Sequence, residues 1–256
     1  MKKELCIAVY VYGWYVEFIP LYIHSILTSY PEYYVKIFTC SELPDNVNNA
    51  LKFINSDSFE IISDFKVNDY PMNNHIVRWF IPREYFEDFK YGYIGDVDFI
   101  IVKELVSLLD SHVEHMEKLG LPYSNIIRKT LPTRMSGLHF FNVDEYFDGI
   151  EDKKNSFLAQ MPLTSKNNEE VLFELTEDIG HPSIEEQWRP HHGFHLGLYR
   201  LHNQRYIREV QDREKWNSMK ENGQIVMNSP VYEKLWRNAG IRVRNIMSDI
   251  KHYVNN

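Results

Sequence analysis

Two aspartates in the stretch YGYIGDVDFIIVK, Asp96 and Asp98, stand inside a run of strand-forming apolar residues. An ionised carboxylate buried without a partner costs about several kcal/mol, so an Asp-Val-Asp here calls for a cation or a ligand hydroxyl. On a strand, side chains two apart point to the same side. Both acids would then converge on one hard divalent cation while Val97 packs inward. A second cluster, HPSIEEQWRPHHGFHLGLYR at residues 181–200, holds four histidines. A neutral imidazole suits Mn²⁺ and Zn²⁺ alike, and Gly193 and Gly197 would admit close approach of a ligand to the backbone. His195, with His192 behind it, is therefore a candidate metal ligand. No HExxH or CxxC spacing supports an all-histidine zinc site. Arg78, in RWFIP, offers a fixed fork for a phosphate or for the two acids; the plain alternative is a stem on apolar surface with its head in water.

The elements that must position these groups alternate. Residues 5–12 form a β-branched, aromatic run ending at Gly13, a buried strand that delivers Tyr10 and Tyr12 to a loop, where either ring could stack on a base or pack in the core. Residues 17–29 carry apolar side chains at helical spacing before Pro31. The same alternation gives a strand at 33–40, a helix at 44–55 and a strand at 59–63. Residues 73–89 read as short helices broken at Pro82. Residues 91–103 read as one strand, 104–119 as a helix closed by Gly120, and 134–143 as a strand entered through Ser136 and Gly137. A helix starts at 144–147, residues 148–166 read as a polar surface excursion, and 169–178 as a helix. The pattern implies an α/β fold with a mostly parallel sheet, binding its ligands at the carboxyl ends of the strands.

With 256 residues and a net charge of −8, the chain fits one large domain, and its acidity argues against a nucleic-acid partner. Cys6 and Cys40 lack metal-like spacing, which fits a reducing compartment, so a cytoplasmic protein is expected. The segment after the first two lysines is too short and broken for a signal peptide, and no apolar run reaches the roughly 18 residues of a membrane span. Residues 204–256 are helix-rich and locally basic. They form either a solvated face of mixed charge or a peripheral contact with an anionic membrane or a phosphate-bearing acceptor.

Taken together, RWFIP, YIGDVDFII, SGLHFFN, NNEE and HLGLYR resemble a GT-A glycosyltransferase, most similar to glycosyltransferase family 8, over residues 6–200. The resemblance implies a GT-A (Rossmann-like) domain over 1–203, with a helical extension over 204–256 packed on it. It implies that Asp96 contacts metal and ribose, that Asp98 chelates the metal, and that His195 completes the protein ligands around Mn²⁺ or Mg²⁺. The donor-contacting set then reads Tyr10, Tyr12, Arg78, Asp96, Val97, Ser136, Gly137, His192 and Arg200. Gly95, Ser136-Gly137 and Leu198-Tyr199-Arg200 depart from the family pattern, and Arg200 stands where its diphosphate-binding lysine falls. Glu170 and Glu169 occupy roughly the place of the family's Asp-Gln pair and are the catalytic candidates; Glu185 and Glu186 are others, and helix-start acids are the plain alternative for all four. The implied activity is transfer of a hexose from a nucleoside diphosphate sugar, UDP-linked, to a glycan or lipid-linked acceptor with retention. Two other classes remain: a sugar-nucleotide nucleotidyltransferase, whose glycine-rich loop is missing from VYVYGWYVEF, and a non-catalytic binding module of the same fold.

Overall fold

A computed structural model describes residues 2–67, 75–160, 166–186, 190, 193–196 and 213–255, and of His195 and Arg213 the backbone alone. Ten strands occur among these residues: β1 (Lys3–Val11), β2 (Tyr34–Thr39), β3 (Phe59–Ile62), β4 (Phe89–Ile94), β5 (Phe99–Ile100), β6 (Tyr123–Ser124), β7 (Ile127–Arg128), β8 (Leu131–Met135), β9 (His139–Asn142) and β10 (Phe194–His195). The central sheet has the order β3-β2-β1-β4-β9-β6. Pairing is parallel for β1 with β4 and for β2 with β3, and antiparallel for β9 with β4 and β6. This mixed α/β architecture, mostly parallel at its centre, agrees with the sequence reading. β1 is buried continuously from Leu5 to Val11, as expected of a strand covered on both faces.

The chain divides into two compact units, one comprising Met1–Tyr10, Asp64–Asp96 and Leu109–Pro190, the other Val11–Ser63, Val97–Leu108 and His191–Asn256. In the second unit α1 (Ile19–Ser29) and α2 (Asp45–Leu51) precede the helices of the tail. In the first, α3 (Leu108–Leu119) ends at Gly120, whose φ of +64° is the left-handed conformation glycine adopts without strain. Next come α4 (Val143–Ala159) and α5 (Asn168–Leu175). The tail supplies α6 (Arg213–Met227), α7 (Pro230–Asn238) and α8 (Ile241–Asn255).

Three readings are corrected. Residues 91–103 are not one strand: β4 stops at Ile94, the chain bends at Val97 and Asp98, and β5 pairs instead with β10. The two acids therefore lie in the connection, and the same-side rule for a strand does not apply to them. Residues 134–143 are two strands, because β8 ends at Met135 and Ser136-Gly137 lie before β9. Residues 148–159 are helix, not a surface excursion; α4 buries Val143, Tyr146, Phe147, Ile150, Lys154 and Phe157 at helical spacing, a stripe masked in the sequence because one position is lysine. Residues 161–165 of that stretch lie outside the described residues.

Candidate active site at the end of strand β4

The site in the first unit follows from two pairings. The parallel register of β1 and β4 sets Ala8 beside Ile94, and the next amide, Gly95 N, donates to Ala8 O at 3.2 Å. The antiparallel register of β4 and β9 sets Ile94 beside His139, so the amino end of β9 lies at the carboxyl end of β4. Ser136-Gly137, just before β9, thereby meet Asp96, just after β4. A short 3₁₀ helix at His75–Phe80 adds Arg78.

Arg78 is buried, with its side chain 9% exposed, and its Nη1 donates to Asp96 Oδ1 at 2.5 Å and to Gly95 O at 3.1 Å. Its Nε is buried with no hydrogen-bond partner among the described residues, and its Cζ lies 4.9 Å from the Trp79 ring centroid. A guanidinium so desolvated requires an anion fixed beside it. Asp96 keeps 36% of its side chain exposed, so one face of the pair reaches water. A Cβ placed on Gly137 would stand 3.3 Å from Arg78 Nη2 and 3.8 Å from Asp96 Oδ2. Glycine at 137 thus lets the backbone pass close against the pair without displacing the Arg78 guanidinium. The Ser136 peptide is held by Asn125, whose Oδ1 accepts from Ser136 N at 3.1 Å and whose Nδ2 donates to Ser136 O at 3.0 Å.

In the second unit, Val97 is buried, as expected for the residue between the acids, and Asp98 is half-buried. Leu196 N donates to Asp98 O at 2.8 Å, and β10 places His195 opposite Phe99, one residue from Asp98. Gly193 makes this pairing possible: its φ is +106°, and a Cβ there would lie 2.1 Å from Ile100 O. The glycine expected to admit a ligand admits a neighbouring strand instead. His192 and Arg200 lie outside the described residues. Back in the first unit, Tyr10 is buried and meets Phe65 edge-on at 6.3 Å. Tyr12, in the second unit, is half-buried where a short 3₁₀ helix, Gly13–Phe18, begins.

The two glutamates at the start of α5 have other partners. Glu169 accepts from Arg128 Nε at 2.9 Å and pairs with Nη2 of the same arginine. Glu170 accepts from Arg134 Nε at 2.9 Å and closes a capping box with Asn167. The Arg134 hydrogen bond holds the Glu170 carboxyl below the usual carboxylate range, which makes it a weaker proton acceptor. Sequence reasoning missed Asn125, His139, Trp79 and Arg134. Asn125 and His139 were detectable as polar residues inside the apolar runs YSNII and LHFF. Trp79 and Arg134 carried no signal beyond adjacency to Arg78 and Ser136.

No protein-family model and no curated protein matches the chain. Solved structures do. The glycosyltransferase GlyE of Streptococcus pneumoniae TIGR4 superimposes with a TM-score of 0.51 at 12% identity, over 99% of this chain and 64% of that one. Its apo form gives 0.50 at 10% identity, over 98% and 64%. The galactosyltransferase LgtC, in complex with donor and acceptor sugar analogs, gives 0.43 at 11% identity, over 66% and 70%. The fold is GT-A. This chain spans just under two thirds of the length of GlyE.

Within this GT-A fold the acids can be tested against the metal the resemblance implies. Among the described residues no group of three or more His, Cys, Asp and Glu stands close enough to share an ion. Carboxylate oxygens are hard donors, and Mg²⁺ is commonly held by one or two of them with water and substrate phosphates. The carboxylates of Asp96 and of Asp98 are each donors of that kind, and the side chain of Asp96 is 36% exposed.

Proposed function

We propose that this chain is a cytoplasmic, metal-dependent glycosyltransferase that moves a hexose from a UDP-linked donor to a glycan or lipid-linked acceptor with retention of configuration. The observation that carries this reading is the buried Arg78 locked to Asp96 beneath Gly137, at the carboxyl end of β4 in a GT-A fold. Asp96 and Asp98, with His195 as third protein ligand, would hold Mn²⁺ or Mg²⁺, which as a Lewis acid would offset charge on the departing diphosphate. Arg78 fixes the orientation of Asp96 and adds positive charge beneath the diphosphate, with Arg200 adding to it from the later segment. Tyr10 and Tyr12, past the point where β1 meets Gly95, would face the base; Val97, Ser136, Gly137 and His192 complete the donor contacts. The engagement of Glu169 and Glu170 by arginines supports retention, with the leaving phosphate rather than a glutamate taking the acceptor proton.

In the tail, Arg242 stacks on Trp14 at 3.6 Å while Ile241 is 73% exposed, a basic and apolar surface suited to peripheral contact with an anionic membrane that presents a lipid-linked acceptor. No helix among the described residues is long and apolar enough to cross a membrane. Purified protein incubated with UDP-hexoses and Mn²⁺ should release UDP slowly without acceptor. No release and no thermal shift with any donor would overturn the reading.

A further inference from the structure

The first unit ties the two sides of the Arg78 site together by a route the chemistry does not require. Trp79, covalently next to Arg78, donates from Nε1 to Asn168 O at 2.8 Å, at the first turn of α5. Two residues on, Glu170 divides its carboxylate. Oε1 takes Nε and Nη2 of Arg134 at 2.9 and 2.8 Å, and Oε2 accepts from Asn167 N at 3.3 Å, closing the helix's own cap. Arg134 precedes Ser136 by two residues on β8. The far end of α5 holds the same strand, since Thr176 Oγ1 lies 3.4 Å from Met135 Sδ. A second route runs through the core. Trp79 meets His139 edge-on at 6.1 Å, His139 Nδ1 lies 3.1 Å from Asn125 Nδ2, and Asn125 grips the Ser136 peptide. Burial pushes His139 down to about 3, so this link stays neutral across the working range.

We propose that the amino end of α5 is a clamp that sets the gap between the Arg78–Asp96 pair and Ser136-Gly137, and that Glu170, Arg134 and Trp79 are positioning residues for the donor. This rests on reading the Arg78–Asp96 pair and Ser136-Gly137 together as one wall of the donor site. The gap has little slack, because a methyl group on Gly137 would already press on Arg78 Nη2. Misplacement of a binding group by an ångström can cost about a hundredfold in rate, so a clamp outside the reacting atoms has a use. The bonds also give the Glu170 carboxylate a use outside the reaction.

The test uses the full chain and three substitutions. Glu170→Gln keeps a cap acceptor and removes the charge facing Arg134, Arg134→Gln removes the partner, and Trp79→Phe removes the Nε1 donor. For each, KM for UDP-hexose in the hydrolysis assay should rise about 3- to 10-fold, with kcat within about twofold. Glu170→Gln combined with Trp79→Phe should give less than the product of the two effects. Without ligand, amide hydrogen exchange should quicken at 76–80 and 136–138 in all three variants. Collapse of kcat at unchanged KM in Glu170→Gln would make that residue catalytic and overturn the proposal. So would variants matching the wild type in both KM and exchange. A wild type that binds no nucleoside diphosphate would instead overturn the donor-site reading beneath it.

Discussion

Two pairs of acids, Asp96 with Asp98 and Glu169 with Glu170, look alike in the sequence, and among the described residues Asp96, Glu169 and Glu170 each meet an arginine. They differ in where the arginine sits. Arg78 has 9% of its side chain exposed, whereas Arg128 and Arg134 have 47% and 29%. An exposed ion pair contributes at most about 1 kcal/mol, because water serves either partner after the other is removed. A buried guanidinium has no such substitute, so Asp96 is indispensable to Arg78 while Glu169 is replaceable for Arg128. Glu104 supplies a third term. It is a buried acid whose Oε1 finds no hydrogen-bond partner among the described residues, and burial pushes its carboxyl up to about 8 against the weaker pull of Lys215.

The sharpest way to break the comparison is Asp96→Ala. It leaves Arg78 with the Gly95 carbonyl as its one hydrogen-bond acceptor among the described residues, and should cost about 2–3 kcal/mol in urea unfolding and abolish UDP binding. An unchanged midpoint would show that the pair is not structurally coupled. Glu104 next: its folded carboxyl binds a proton up to about pH 8, while in the unfolded chain it releases it near 4.3. The folded state therefore holds more protons between those values, and stability should fall as pH rises through that window. Glu104→Gln should flatten this slope in melts from pH 5 to 9; an unaltered slope would place the carboxyl in water.

Gly137→Ala sharpens the comparison at the ligand side. Its Cβ, 3.3 Å from Arg78 Nη2, should weaken UDP affinity about tenfold with little change in melting temperature. Retained affinity would move the diphosphate away from Gly137. The smallest effect belongs to Glu169→Gln, expected to shift stability by less than about 1 kcal/mol and leave donor turnover near wild type. Loss of turnover there would return Glu169 to the reaction.

The sequence made the α/β alternation legible because β-branched runs and helical stripes differ in period. Val97 was legible as a core residue for the same reason. The breaks were not. YGYIGDVDFIIV has no polar interruption except the acids themselves, and only the pairing of β5 with β10, a partner almost a hundred residues away, reveals that the strand ends at Ile94. Arg78 could be singled out as an odd cation in an apolar segment, but its burial depends on a packing partner, Trp79, and an anion, Asp96, brought together by register. Glu169 and Glu170 show the reverse case. NNEE reads as a helix start, and the capping box confirms it, whereas the arginines that occupy both acids come from a hairpin with weak local signal.

The central claim is that Asp96 and Asp98 make nucleotide binding depend on a divalent metal. Calorimetric titration of UDP into the wild type and into Asp98→Ala, each with and without Mn²⁺, tests it most directly. The expected result is binding by the wild type that requires Mn²⁺, and none by Asp98→Ala under either condition while its melting temperature stays near that of the wild type. UDP binding of equal affinity without metal, or retained in full by Asp98→Ala, would contradict it.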